Sequence, residues 1–282
     1  MDTRRGNHTT ETTAPGFRAC HITRKCFNNT AWRLATGCNG QSWRQGIFWH
    51  WWQRQSCFFC REREKKICKW LDQISKDAKE VYLLGDLFDF WFEYNKVIPK
   101  GFERLKGKLA ELTDSGIKIH LFVGNHDLWT FGYFKSEIGL EVHKKPKIVE
   151  INNKKFYLAH GDGLGKGSML YKLIKKIYEN KICQFLFKAL PSSLGISLAQ
   201  FLSKRNKKNQ NSSKEKSGEF HLTEYCKIVL KNQHIDFFVF GHIHRPCIIE
   251  LSTNSKYVNL GDWVNHFSYA ELDKENLLLK FF

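Results

Sequence analysis

Apolar residues recur along this chain with two different periods, and the switches between them define its elements. Val81–Leu84 is an apolar run that meets Gly85 and then a carboxylate, Asp86. Lys118–Val123 ends in the same way at Gly124-Asn125-His126-Asp127, Lys155–Ala159 at His160-Gly161-Asp162, and Phe237–Phe240 at Gly241-His242-Ile243-His244. Short β-rich runs bounded by glycine predict strands. Glycine permits a sharp turn there, so the next side chain projects from the carboxyl edge of the sheet. Between these runs the period becomes helical. Ile67, Trp70, Leu71 and Ile74 fall at i, i+3, i+4 and i+7 and predict a helix over Arg61–Ser75; Leu105, Leu109 and Leu112 mark another over Gly101–Asp114. Strand, helix and strand in succession predict right-handed crossovers and a largely parallel sheet.

The remaining pattern extends this outline. A short helical stretch is expected at Thr130–Glu137 and a hairpin at Lys147–Ile151 and Lys155–Ala159, turning at Asn152-Asn153. A helix over His221–Asn232 precedes the strand Phe237–Phe240. Ile248–Leu251, Tyr257–Leu260, Ser268–Leu272 and Leu277–Phe281 are expected to form a second, more antiparallel sheet. The aromatic run in Asp89–Tyr94 is expected to pack beneath the strand ends. Gly163–Glu219 reads as an insertion, with apolar residues at helical spacing (Leu170, Leu173, Ile174 and Ile177, then Phe185, Leu186 and Leu190, then Leu194, Leu198, Phe201 and Leu202) and lysines between them. Its stripes fit a helical pair packed on the core. They also fit a cap whose apolar faces take an acyl chain and whose cations meet phosphate or membrane headgroups. Lys204–Glu219 is expected to be a mobile loop by composition.

Residues 1–60 lack either period. They hold five of the nine cysteines and five of the nine tryptophans. Three readings compete: a zinc site from Cys20, His21, Cys26, Cys38, Cys57 and Cys60, a basic-aromatic binding patch over Trp43–Phe59, and a misassigned start not selected with the rest of the chain. A single Cys-x-x-Cys without a second pair is a weak zinc signal. We take the third reading, and with it an irregular segment 1–60 before a domain 61–282.

Composition sharpens the picture only through its distribution. The net charge of +17 would suit a nucleic-acid partner, but residues 1–60 and 165–219 account for fifteen of those charges. The body that carries the strand ends is close to neutral, which disfavours nucleic acid and leaves a basic appendage suited to an anionic surface or substrate. No run of about 18 apolar residues predicts a membrane span. No secretory signal is expected at the N-terminus. Cys68, Cys183, Cys226 and Cys247 read as buried thiols of a cytosolic protein.

Strand ends that gather one Asp, one Asn and three His at one edge suit a hard-to-borderline metal ion. The order of these motifs resembles the calcineurin-like metallophosphoesterases, whose signature runs Asp-x-His, Gly-Asp, Gly-Asn-His-Asp, His and Gly-His-x-His. The first of these is missing, because no Asp-x-His precedes Asp86. The resemblance implies an α/β fold, a four-layer α-β-β-α sandwich with a helical cap insertion at 163–219, and two divalent metals, manganese by family habit. It implies that Asp86 bridges the metals, that Asn125, His160 and His242 complete one position, and that His244 belongs to the other. It further implies that His126 sits beside the phosphoryl group and protonates the leaving oxygen or stabilises charge, and that Asp127 orients it. Asp89 and Asp162 are expected to stabilise turns.

Within that family the likeness is to the UDP-2,3-diacylglucosamine pyrophosphatases of lipid A synthesis. It rests on Arg61–Glu64, Gly85–Tyr94, the segment from His160 to Tyr171 and the apolar-basic insertion, and extends from Arg61 to the C-terminus. It implies a UDP-linked acylated sugar as substrate, with UMP and a diacylglucosamine 1-phosphate as products, and Tyr171 as a substrate contact. A peripheral location on the cytoplasmic face of a Gram-negative inner membrane follows, with the cap on the anionic surface. Two alternatives stay open: a nucleotide phosphodiesterase, which would need aromatic stacking platforms, and a metal-poor pseudoenzyme that binds membrane or protein through its cap.

Overall fold

A computed structural model of the chain describes residues 46–50, 58–166, 169–207 and 212–282. All of them lie in the unit Gln41–Phe282, one of two units into which the chain divides. The zinc set of the N-terminal segment, and most of its basic-aromatic patch, fall outside the described residues and side chains.

Eleven strands are described: β1 (Ile47–Trp49), β2 (Glu80–Leu83), β3 (Lys118–Phe122), β4 (Glu141–His143), β5 (Lys147–Ile151), β6 (Lys154–Leu158), β7 (Phe237–Phe240), β8 (Cys247–Ser252), β9 (Ser255–Asn259), β10 (Ser268–Asp273) and β11 (Asn276–Phe281). The helices are α1 (Phe58–Ile74), α2 (Glu103–Asp114), α3 (Tyr133–Ser136), α4 (Met169–Glu179), α5 (Lys181–Ala189), α6 (Ser192–Lys207) and α7 (Ser212–Leu230). One sheet has the order β11-β10-β1-β2-β3-β4 and the other β5-β6-β7-β9-β8. β1 to β4 pair in parallel, as do β6, β7 and β9, and antiparallel strands flank both parallel blocks.

Alternation along each strand assigns the layers. Ile47, Trp49, Val81, Leu83, Ile119 and Leu121 pack with Ile67, Trp70, Leu105 and Leu109 of α1 and α2. Phe48, Tyr82 and Phe122 turn the other way and meet Phe156, Leu158, Phe237, Val239 and Val258 of the second sheet. Tyr157, Phe238, Phe240 and Tyr257 then face Leu222 and Cys226 of α7. With period 2 fixing the face of every residue, helix, sheet, sheet and helix form the expected four-layer sandwich.

Several expectations need correction. The first sixty residues were expected to be irregular and to lack the family's first strand, yet β1 lies there, parallel to β2 and antiparallel to β10. Three residues are too few to display a period, and β1 owes its conformation to partners on both sides. The last four strands do not make one sheet: β8 and β9 join the second, whereas β10 and β11 complete the first. Alternation reveals a strand but not its neighbour. The expected loop at Lys204–Glu219 is largely helix, since α6 runs to Lys207 and α7 starts at Ser212. Lysine and glutamate are good helix formers, and α7 continues to the buried Leu222 and Cys226. Of the four described thiols, Cys226 is buried and the other three are half-buried.

Trp70 is the centrepiece of the α1 layer. Its ring is fully buried, 5.7 Å from Trp49, 5.0 Å from Trp263 and 5.1 Å from Tyr269. Trp70→Ala is expected to cost about 3–5 kcal/mol in denaturant unfolding. The buried indole nitrogen has no hydrogen-bond partner, so Trp70→Phe removes an unsatisfied donor worth about 1–3 kcal/mol and offsets much of the lost packing. Equal costs for the two variants would contradict this account.

Candidate metal centre

The carboxyl ends of β1, β2, β3, β6 and β7 converge on one edge. Asp86 follows β2 with φ +53, a left-handed conformation rare outside glycine, and is buried at 1 % exposure. Gly85 before it has φ +84, and a Cβ there would lie 2.5 Å from His160 Nδ1. Strain of this kind persists only where the surroundings enforce it. Asp86 Oδ1 accepts from the backbone N of His126 at 2.9 Å, and Oδ2 lies 3.3 Å from His160 Nε2.

His160 is the hub of the cluster. Its Nδ1 lies 2.7 Å from the carbonyl oxygen of Leu84, which can only accept, so Nδ1 donates. Its Nε2 then faces Asp86, Asn125 Oδ1 at 3.2 Å and His242 Nδ1 at 3.2 Å. Burial disfavours charge on this ring, but Asp86 and Asp162 outweigh it and raise His160 to about 9. Burial likewise opposes ionisation of Asp86, and the histidines around it, His160 first, hold it well below the usual carboxylate range. Burial and the neighbouring His160 lower His242 to about 4.

The residue that sequence reasoning missed is His50. It stands at the end of β1 and is completely buried. Its Nδ1 donates to the Gly261 carbonyl at 2.8 Å, which leaves the lone pair on Nε2, and Nε2 has no hydrogen-bond partner. Desolvation, with His160 and His244 beside it, holds this ring well below its ordinary value and therefore neutral. One ligand atom each from His50, Asp86 and His160 lie within 4.8 Å of one another. A Cβ on Gly241 would strike the His50 ring, so the glycine of the last motif makes room for the first strand's side chain. Gly46-Ile47-Phe48-Trp49-His50 followed the same strand-then-ligand grammar as the other motifs, hidden among tryptophans.

Asp262 was missed as well, although Gly261-Asp262 follows β9 in the same grammar. It is buried, accepts from the backbone nitrogens of Val264, Asn265 and His266, and sets Oδ2 3.6 Å from His244 Nδ1. His244 also lies 5.5 Å from His50, ring to ring. Every expected site residue is therefore near this edge. Asp127 accepts from the backbone nitrogens of Leu87 at 2.7 Å and Gly124 at 2.6 Å, fastening the Gly124–Asp127 loop to the end of β2. The His126 ring is held by Asp89, whose carbonyl accepts from Nδ1 at 2.7 Å.

The insertion is tied to this edge. Lys175 of α4 pairs with Asp162 at 2.6 Å, and the Tyr171 hydroxyl donates to the same carboxylate at 3.1 Å. Asp162 thus does more than stabilise its turn. Trp129 Nε1 donates to the Tyr178 carbonyl, and Phe187 of α5 packs 4.8 Å from Phe92 and 4.7 Å from Trp129. The aromatic run after Asp89 is accordingly divided: Trp91 joins the layer under α1 and α2, while Phe90 and Phe92 seat the insertion. The insertion's apolar stripes are not core. Leu170, Leu173, Ile182, Phe185, Leu186, Leu194 and Phe201 are all more than half exposed, and α4 and α5 have no buried residue. An apolar surface of that extent marks a binding surface.

Several acceptor atoms facing one another in a buried cluster call for positive charge among them. His50 Nε2, the Asp86 carboxylate, Asn125 Oδ1 and the imidazoles of His160, His242 and His244 are nitrogen and oxygen donors of the kind that first-row divalent ions take. The donor set fits a metal.

The profile of calcineurin-like phosphoesterases matches residues 49–246. The chain belongs to that family and is a metallophosphoesterase, a hydrolase that uses divalent metal. Among curated proteins it is similar to the UDP-2,3-diacylglucosamine hydrolase of Porphyromonas gingivalis, with 33 % identity over 77 % of this chain and 88 % of that one. The enzymes of the same name from Ectopseudomonas mendocina (30 % identity, 71 % of this chain, 84 % of that one) and Proteus mirabilis (27 %, 75 % and 88 %) are also similar.

Proposed function

We propose that this hydrolase cleaves the pyrophosphate of UDP-2,3-diacylglucosamine, giving UMP and 2,3-diacylglucosamine 1-phosphate for lipid A synthesis. The observation that carries the reading is the pairing of a buried imidazole-carboxylate cluster with an exposed apolar surface tied to it through Lys175 and Asp162. A free nucleotide gives that surface nothing to cover, whereas two acyl chains do.

Two divalent ions, manganese in this reading, would be held by Asp86 with Asn125, His160 and His242 on one side and His244 with His50 on the other. When bound they supply a hydroxide at neutral pH and neutralise charge on the phosphoryl oxygens. The chain's own groups do the remaining work. His126, its Nδ1 committed to the Asp89 carbonyl, exchanges a proton with the leaving phosphate oxygen through Nε2. Asp127 keeps the loop carrying Asn125 and His126 against β2. Tyr171, beside Asp162 and 6.4 Å from the His242 ring, contacts substrate where the insertion meets the edge. Asp262 fixes the orientation of His244.

The same surface supports a peripheral position on an anionic membrane, with the lysines of α4 and α5 at the headgroups and the enzyme on the cytoplasmic face of a Gram-negative inner membrane. Among the described residues no helix is long and apolar enough to cross a membrane.

Manganese-dependent release of UMP from UDP-2,3-diacylglucosamine tests the reading, with UDP-N-acetylglucosamine as the unacylated control. Turnover of the acylated substrate alone is expected. Equal turnover of both would sink the role given to the insertion, and hydrolysis of neither would sink the substrate.

A further inference from the structure

A second imidazole-carboxylate cluster lies on the β2-β3-β4 side of the first sheet, built from residues that no motif above uses. His120 of β3 faces Glu141 of β4 in register, and Tyr82 of β2 pairs with His120 on the other side. Tyr82 stacks on the His120 ring at 4.6 Å, and the His143 ring lies 5.3 Å from His120 and 4.8 Å from Phe122. His120 Nδ1 is 3.1 Å from His143 Nε2 and 3.2 Å from Glu141 Oε2. One ligand atom each from His120, Glu141 and His143 lie within 4.8 Å of one another.

The geometry points to a second metal site, in which His120 Nδ1, His143 Nε2 and Glu141 Oε2 bind a first-row divalent cation, zinc best matching this donor set. Zinc bonds of about 2.0–2.2 Å place tetrahedral ligands roughly 3.3–3.5 Å apart, close to the two separations observed here. The other nitrogen of His120 completes the argument. With Nδ1 on a metal, the proton must sit on Nε2, which is buried and has no hydrogen-bond partner in the metal-free chain. Glu80 Oε2 lies 3.7 Å from it, held by the Tyr82 hydroxyl. A carboxylate behind a ligating imidazole is the usual means of fixing its tautomer. Lys118 and Lys147 act on the cluster electrostatically, but both side chains are exposed and can turn outward.

Such an ion would tie the three-residue strand β4 to β3. The His143 carbonyl also accepts from Val123 N at 2.9 Å, immediately before the Gly124–Asp127 loop.

The test is to count bound zinc per full-length chain after dialysis and to follow the zinc-induced rise in unfolding temperature. The parent, Asp86→Asn, His143→Ala and Glu141→Gln are compared. His143 is half-buried and Glu141 exposed, so neither change threatens the core as His120→Ala would. Asp86→Asn is expected to keep one zinc and its stabilisation. His143→Ala and Glu141→Gln are expected to bind one zinc fewer than the parent, or to bind it more than about tenfold more weakly, while manganese-dependent hydrolysis is unchanged. Zinc content and stabilisation in His143→Ala that match the parent would overturn the site, whatever the substrate of the enzyme proves to be.

Discussion

Asp86→Asn is expected to lower kcat/KM by about a thousandfold or more, corresponding to about 4 kcal/mol of transition-state stabilisation, and to leave the fold intact. Three observations separate those effects. Asparagine tolerates the left-handed conformation that Asp86 adopts at φ +53. Its side-chain oxygen can still accept from His126 N, so the Gly124–Asp127 loop keeps its tether. Only the negative charge is lost, and that charge faces His160 at 3.3 Å in a buried site. Without it the cluster consists of neutral donors and loses its main attraction for a divalent ion. Manganese binding by calorimetry should fall with activity, while the metal-free chain still folds, with a lowered unfolding midpoint because the buried Asp86–His160 charge pair is lost. Activity within tenfold of the parent would show that the bridging role lies elsewhere. An unfolded variant would show that Asp86 is structural.

Much of this site was legible because its parts repeat one rule. A strand of the inner layers must be apolar, the turn at its end needs glycine where backbones crowd, and the ligand comes next. Asp86, Asn125 and His242 follow it directly, His160 takes the strand end itself with its glycine one residue later, and His244 comes two residues after His242. The hairpin was equally legible, since Asn152 and Asn153 have φ of +51 and +60, the backbone that a tight two-residue turn requires. What was not legible depends on partners distant in sequence. β1 has three residues and is defined by β2 and β10, so its own text carries almost no signal. His50 then went unseen because the strand that presents it did. The assignment of β10 and β11 to the first sheet is likewise invisible to alternation, which specifies faces and not neighbours. The insertion shows the converse. Its helical periods predicted helices correctly, but a period cannot say whether an apolar stripe faces a core or stays exposed for a ligand.

His50 is the member of the metal centre that no family motif announces, and two substitutions there are expected to move in opposite directions. His50→Ala removes a buried nitrogen lone pair that no protein group satisfies. Manganese affinity should fall at least about a hundredfold, the upper end of what is lost when a group that merely supports a ligand is removed. The metal-free chain should also lose some stability, because the cavity and the lost Gly261 hydrogen bond outweigh the relief of one unpaired buried atom. His50→Asp puts a carboxylate at the end of β1, beside Asp86 and His160. In the metal-free chain it would sit beside Asp86 and the Gly261 carbonyl, so like charge and desolvation should lower the unfolding midpoint. With manganese the same charge becomes a ligand, and affinity and turnover should exceed those of the parent. The diagnostic result is therefore a crossover: His50→Asp less stable than the parent without metal and more strongly stabilised by it. If both variants bind manganese as the parent does, the end of β1 takes no part in the metal centre.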